Sequence, residues 1–140
     1  MITDHVHIEE ELRRTQRRLD VASRAARLVT WEWTVATNEA EWDEGVRTIL
    51  GYDQDEVGAT IDWWDEHIHA DDRDRVRADR RAAIEGGDNR WSDEYRVQRA
   101  DGSHVTVRDT VEIERDTSRH AVRLVGAVQV TVGEGRVEAS

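Results

Sequence analysis

The densest group of side chains that could bind a metal lies between His67 and Asp72, where two imidazoles and two carboxylates fall within one short segment. Imidazole and carboxylate groups are common zinc ligands, so the segment superficially resembles the ligand set of a metallohydrolase. A catalytic site of that kind needs further histidines from a much larger scaffold. Asp71 or Asp72 is explained more simply as the cap of the helix that follows. We therefore interpret the segment as a helix entry and predict no metal site.

A second candidate for chemistry is Asp109, the one charged residue on the apolar face of a predicted strand, between Val107 and Val111. A buried carboxylate costs several kcal/mol unless it is paired. It must therefore meet an arginine or a ligand, or a β-bulge must turn it outward, and we favour the bulge. If the carboxylate stays inside, Asp109 becomes the candidate general base of a small α+β enzyme. The sequence presents no nucleophile and base pair and no phosphate-binding glycine loop, so we predict no catalytic residue.

Composition excludes several classes of function. The 140 residues include no Cys, which rules out disulfides, thiolate nucleophiles and thiolate zinc sites. The net charge of −11 disfavours nucleic acid and anionic membrane surfaces, which attract clustered cations. All 20 basic residues are Arg, which indicates either a halophilic proteome with acidic surfaces or codon bias. No apolar run approaches the ~20 residues that span a bilayer, and no export signal is visible, so we expect no membrane insertion and a cytoplasmic location.

The sheet predicted between Arg90 and Val132 must position the side chains of any functional site. Three consecutive segments there alternate apolar and polar residues, which is typical of half-buried antiparallel strands. Asp101 and Gly102 form the turn of a hairpin between the first two segments. The positions predicted to face inward are Trp91, Asp93, Tyr95 and Val97, then Val105, Val107, Val111 and Ile113, then Val122, Leu124, Val128 and Val130.

The preceding residues predict two more strands and several helices. A strand around Trp31 and Trp33 and a short strand from Glu39 to Trp42 form another hairpin. Short helical segments follow, and then a longer helix that ends near Glu85. Because no βαβ alternation is visible, the order predicts an α+β domain over residues 28 to 132, with a five-stranded antiparallel sheet and short helices on one face. Residues 133 to 140 contain no core positions and should fray.

Residues 1 to 27 predict an N-terminal amphipathic helix. Apolar and small residues recur there at alternating spacings of three and four, as in a coiled-coil seam. The seam comprises His5, Ile8, Leu12, Thr15, Leu19, Ala22 and Ala26. The helix either pairs with its twin in a dimer or folds back onto its own domain. The dimer interpretation places the interface at Ile8, Leu12, Leu19 and Ala22.

Four short motifs then follow one another in order. They are LVTWEW at residues 28 to 33, ILGY at 49 to 52 followed by EV at 56 and 57, WDEHIHADD at 64 to 72, and EYRVQRADGS at 94 to 103. Together they resemble the PAS domain family, in its fold-3-like branch of bacterial and archaeal sensory proteins. The chain departs from that pattern at Ala70, where the family usually has Pro, and at residues 130 to 132, which read VTV in place of the family's DIT.

The resemblance implies a non-catalytic module of signal transduction. Such a module binds a small ligand or a partner between the sheet and the short helices and relays the change through dimer or helix contacts. The resemblance implies a homodimer and an output module in a sensor kinase, transducer or regulator, and the negative net charge argues against nucleic acid as a partner. Its pocket would be lined by Trp33, Val46, Ile49, Leu50, Trp64, Ile68, Val76, Tyr95, Val97, Val107, Asp109 and Val128.

The cofactor stays unknown at this point. The flavin chemistry of the family's light-sensing branch requires a cysteine, which the chain lacks. The resemblance also disfavours haem, because related haem sensors usually take an axial ligand from the longer helix, and residues Asp72 to Glu85 include no His. Two alternatives to the sensor are a small α+β enzyme that uses a pocket carboxylate, and a pure dimerisation domain whose interior is fully packed.

Overall fold

A sheet of five antiparallel strands organises the computed structural model, which describes residues 2 to 132, with side chains from residue 8 to residue 131. The elements in chain order are α1 (Ile2–Ala26), β1 (Leu28–Thr34), β2 (Glu39–Trp42), α2 (Gly45–Thr48), a 3₁₀ helix (Gln54–Glu56), α3 (Ile61–His67), α4 (Ala70–Glu85), β3 (Arg90–Gln98), β4 (His104–Arg115) and β5 (Ala121–Val132). Across the sheet the strand order is β2-β1-β5-β4-β3. The predicted α+β fold is confirmed; the predicted frayed tail, residues 133 to 140, lies outside the described residues.

Tight turns set the register of the two hairpins. Between β3 and β4, Gly102 has a φ of +91°, which glycine adopts without steric cost. The Asp101 carboxylate accepts a hydrogen bond from the Ser103 N–H at 2.9 Å in the same turn. Between β1 and β2, Asn38 takes the left-handed conformation, with a φ of +63°. Both turns lie where the sequence predicts hairpins.

The helices cover one face of the sheet, and the core lies between the two layers. Val105, Val107, Val111 and Ile113 of β4 are buried against the helices, as predicted. The prediction is wrong for Val122, which is 41 % exposed. The pairing of β4 with β5 shifts register between Glu114 and Arg115, and Val122 falls in that irregularity, so its side chain leaves the inner face.

The edge strand β3 is covered by the start of α4. The His69 N–H donates to the Arg96 carbonyl at 2.8 Å, and the Arg96 guanidinium donates to Asp72 at 2.9 Å. The hydrogen bonds from Arg96 lower the pKa of Asp72 to about 2. The predicted caps are wrong, because His69 occupies the N-cap and its Nδ1 accepts the Asp71 N–H at 3.0 Å. The Asp72 carboxylate accepts hydrogen bonds from Arg96 instead of capping the helix. The contact between Asp72 and Arg96 covers the edge strand β3, which would otherwise be open.

Helix α1 contacts the rest of the fold only near its end, among the side chains that the structure describes. Ile8, Leu12 and Leu19 are exposed, whereas Ser23 and Ala26 near its end are half-buried. The interpretation in which this stripe folds back onto its own domain is therefore wrong for the described side chains. Within residues 2 to 132, no helix is long and apolar enough to span a membrane.

Candidate functional site

The structure brings the predicted lining residues together in one core between the sheet and the helices. The buried members are Val46, Leu50, Trp64, Ile68, Val76, Tyr95, Val97, Val107, Asp109 and Val128. Trp33 and Ile49 are half-buried and pack against that core. A surface cleft of about 490 Å³ between the last turns of α1 and α2 includes Ile49. The role of these residues in binding a ligand stays a prediction.

Asp109 lies in the centre of the inner sheet face and is only 2 % exposed. The expectation that a bulge turns it outward is wrong, because β4 pairs regularly with β5 on both sides of this position. The carboxylate is held by neutral donors from two other strands. The Trp31 Nε1–H donates to Oδ1 at 3.0 Å, and the Tyr95 hydroxyl donates to Oδ2 at 2.7 Å. Both oxygens of Asp109 are therefore engaged inside the protein.

Burial dominates the electrostatics of this carboxylate. It raises the pKa of Asp109 to about 6, although the donors Tyr95 and Trp31 act in the opposite direction. Asp93, which faces Asp109 across the β3–β4 pair, adds repulsion between carboxylates. Burial, and then the charge of Asp109, also raise the pKa of the Tyr95 hydroxyl well above its usual value. Tyr95 is therefore a stable neutral donor, and Asp109 has a pKa of about 6.

A second indole extends the hydrogen-bond chain into the helical layer. The Trp64 Nε1–H of α3 donates to the Tyr95 hydroxyl oxygen at 3.0 Å. The Tyr95 hydroxyl thus bridges Trp64 and Asp109 by hydrogen bonds. Hydrogen bonds in such a chain polarise one another, so Trp64 of α3 is electrostatically linked to the Asp109 carboxylate.

Gly126 makes the contact between Trp31 and Asp109 possible. Trp31 of β1 and Asp109 of β4 are separated by β5, and Gly126 is the residue of β5 that pairs with Trp31. A Cβ atom at Gly126 would come within 2.5 Å of the Trp31 indole. The absence of a side chain therefore lets the indole lie across β5 and reach the carboxylate.

A buried ion pair lies next to the hydrogen bonds between Trp64, Tyr95 and Asp109, both in sequence and in space. Asp65 follows Trp64 in α3, and its Oδ2 accepts from the Arg80 Nη2 of α4 at 2.6 Å, with a second bond at 3.1 Å. Both residues are buried. The Arg80 guanidinium also lies 5.7 Å from the ring centroid of Trp33 in β1. We call Trp31, Trp64, Asp65, Arg80, Tyr95 and Asp109 together the polar centre.

Known protein families include one whose model matches most of this chain. The family model described as PAS fold matches residues 39–128, well over half of the sequence. The chain belongs to the PAS fold family. No curated protein matches the chain.

Solved structures of PAS domains resemble this one along most of its length. A sensory box histidine kinase/response regulator from Burkholderia thailandensis matches with a TM-score of 0.70 and 27 % identity, over 87 % of this chain and 90 % of that one. The N-terminal domain of a diguanylate cyclase with a PAS/PAC sensor from Marinobacter aquaeolei matches with a TM-score of 0.68 and 23 % identity, over 81 % and 99 %. The sensory box histidine kinase, at 27 % identity, supports a signal-sensing module, and the diguanylate cyclase domain shows the same fold.

The PAS domain carries an aromatic cluster beside the polar centre. Trp42 stacks on Trp64 with ring centroids 6.1 Å apart, and Trp63 meets Trp42 edge-on at 5.3 Å. Tyr52 and His67 extend the cluster, each within 5.2 Å of the Trp63 ring. These rings fill the space between α3 and β2 and fix the position of Trp64.

In this PAS domain, the histidines and acids between His67 and Asp72 make separate contacts. His67 Nδ1 lies 2.7 Å from the Trp63 carbonyl, and His69 caps α4. Asp72 binds Arg96. Among residues 2 to 132, no three His, Asp or Glu side chains are grouped so that they could hold a metal ion.

Sequence reasoning missed the ion pair of the polar centre, although helical spacing carries a signal for it. In α3, Asp65 follows Ile61 by four residues and so shares its apolar face. In α4, Arg80 lies four residues after Val76 and three before Ala83, on the same buried stripe. A carboxylate and a guanidinium on two apolar helix faces predict each other. No comparable signal points to Trp31 as the partner of Asp109, because that contact spans 78 residues.

Proposed function

We propose that this PAS domain is a sensory module without catalytic activity, and that it detects a small ligand or a partner between the sheet and the helices. The observation that carries the proposal is the polar centre. A buried carboxylate with a pKa of about 6 and a chain of donors that leads from it into α3 are sensitive to any group that enters or displaces a donor. The related sensor kinase and cyclase support an output module as the partner.

The connection to α1 supplies a physical route for the relay. Trp31 donates to Asp109 from β1, and β1 begins at Leu28, two residues after α1 ends at Ala26. The connecting residue, Arg27, has a φ of +58°. A shift of the Trp31 indole would therefore move β1 and change the direction in which α1 leaves the domain. In this proposal, α1 of two copies pair through Ile8, Leu12, Leu19 and Ala22, so a change of helix direction alters the dimer.

The first experiment is denaturing extraction of purified protein, followed by mass spectrometry and an absorbance spectrum from the ultraviolet through the visible. We expect a stoichiometric small molecule, and we expect Asp109→Asn to retain less of it than wild type. Tyr52→Phe, whose hydroxyl binds the Gln98 carbonyl outside the polar centre, is the matched control and should retain it fully. A clean extract from wild type would favour the alternative of a packed interior and a pure dimerisation domain.

A catalytic alternative rests on the same carboxylate. A pKa of about 6 suits a general base that works near neutral pH. Against this role, Trp31 and Tyr95 already donate to both carboxylate oxygens, so a substrate must displace one of them. Turnover of a substrate that Asp109→Asn abolishes, while binding persists, would establish the enzyme; binding without turnover supports the sensor.

A further inference from the structure

The apolar surface of α1 has no partner within the described chain. Ile8 is 55 % exposed, Leu12 65 % and Leu19 59 %. The outer face of the sheet is also exposed, but it carries ion pairs, such as that between Arg123 and Glu114 at 3.0 Å. Large apolar side chains that lie along one helix stripe are typical of a surface that another helix covers.

The charges of α1 are divided along its length. Residues 9 to 11 are three consecutive Glu, whereas Arg occupies positions 13, 14, 17 and 18. In a parallel pair, the acidic turn of one helix faces the acidic turn of the other, and the arginines face arginines. In an antiparallel pair, the acidic turn of each helix faces the basic turns of its twin. Because like charges across a seam repel and opposite charges attract, the charge pattern selects the antiparallel arrangement.

The apolar stripe fits the same arrangement in one register. When Ile8 of one helix lies beside Leu19 of a second, antiparallel copy, Leu12 lies beside Thr15, and the twofold axis repeats both layers. Glu11 then flanks Arg18 of the second copy, twice in each dimer. In a parallel seam, Glu11 flanks Gln16 instead and gains no ion pair.

We propose that α1 binds a second copy of this chain in the antiparallel orientation, with Ile8 against Leu19. This inference rests on the proposed pairing of α1 and adds its direction. With a rise of about 1.5 Å per residue, the two helix ends that lead into β1 lie roughly 35–40 Å apart. A parallel pair would bring those ends to about 10 Å. The two sensory bodies therefore lie at opposite ends of the helix pair.

Disulfide cross-linking tests the register directly, because the chain has no Cys of its own. Ile8→Cys and Leu19→Cys are purified separately, then oxidised alone and as a mixture. We expect covalent dimers only in the mixture, since a disulfide requires Cα atoms within about 7 Å. Val21→Cys, at a position as exposed as Leu19 but off the seam, should cross-link in neither case.

A distance measurement avoids changes in the seam. A spin label on Ala25→Cys, an exposed position, should give a separation of about 35 Å in the antiparallel dimer and below about 20 Å in a parallel one. Efficient cross-linking of each single variant with itself, together with the short distance, would overturn the orientation and leave the proposed dimer relay standing. A protein that remains monomeric at hundreds of micromolar would overturn both.

Charge reversal gives the third readout. Glu11→Arg places like charges beside Arg18 of the second copy and should raise the dimer Kd by about tenfold, because two pairs are affected. Adding Arg18→Glu should restore most of the affinity. No effect of the single reversal, or no rescue by the second, would contradict the antiparallel register.

Discussion

Asp65 and Asp109 are both buried carboxylates of the polar centre, but their hydrogen-bond partners differ in charge. Asp65 faces the Arg80 guanidinium at 2.6 Å, whereas Asp109 faces an indole and a phenol. A buried ion pair needs both of its charges, since removal of one leaves the other uncompensated. A carboxylate held by neutral donors can instead take up a proton. The first arrangement therefore joins α3 to α4 through paired charges, and the second lets Asp109 change its protonation state.

The largest difference should appear when each carboxylate is replaced by its amide. Asp65→Asn leaves the Arg80 charge buried without a counter-charge, so we expect a loss of about 3–5 kcal/mol in the free energy of unfolding. Asp109→Asn is the matched control. Its amide oxygen can still accept from Trp31, and removal of a buried charge offsets the loss of the acceptor of the Tyr95 hydroxyl, so we expect no loss above about 1 kcal/mol at pH 7. Urea unfolding measures both, and equal losses would show that the two sites do not differ as argued.

The pH dependence of stability should next test the second arrangement, the one at Asp109. The pKa of Asp109 is raised in the folded chain, from 3.8 to about 6. The folded state therefore holds this proton more tightly than the unfolded state, and the resulting stability is present below pH 3.8 and lost as the pH rises through about 6. Relative to Asp109→Asn, wild type should lose about 2–3 kcal/mol between about pH 4 and pH 8. Parallel curves for the two proteins would contradict the burial argument.

The sequence predicts the frame of this site better than its contacts. Strand alternation places Tyr95 and Asp109 on the inner face, because the period of two fixes the side on which each residue lies. It does not say what a buried carboxylate meets. That depends on the strand order, in which β1 returns to pair with β5 and brings Trp31 near Asp109. The preference for a bulge was wrong because it treated β4 without this neighbour.

Gly126→Ala tests the access of Trp31 to Asp109 without touching Asp65. The new methyl group would meet the Trp31 indole at about 2.5 Å, so the indole must move away from the carboxylate. We expect a loss of about 1–3 kcal/mol in the free energy of unfolding from overpacking. The loss of one donor should also raise the pKa of Asp109 further, which moves the pH-dependent loss of stability to higher pH. Ala127→Ser, at the next residue of β5, should change neither quantity; an unchanged pH midpoint in Gly126→Ala would refute the role of Trp31.

Tyr95→Phe should have a small effect on stability and a specific effect on the pKa of Asp109. The variant removes one donor from Asp109 and the acceptor of the Trp64 N–H, and we expect a cost of about 1 kcal/mol at neutral pH. Because the Tyr95 hydrogen bond lowers the pKa of Asp109, its removal should raise that pKa, as followed through the pH dependence of unfolding. Tyr52→Phe also loses a hydroxyl but not this contact, so it should leave the pH dependence unchanged. The same shift in both variants would mean that Asp109 responds to the general loosening of the core, and the switchable arrangement at Asp109 would then lose its structural basis.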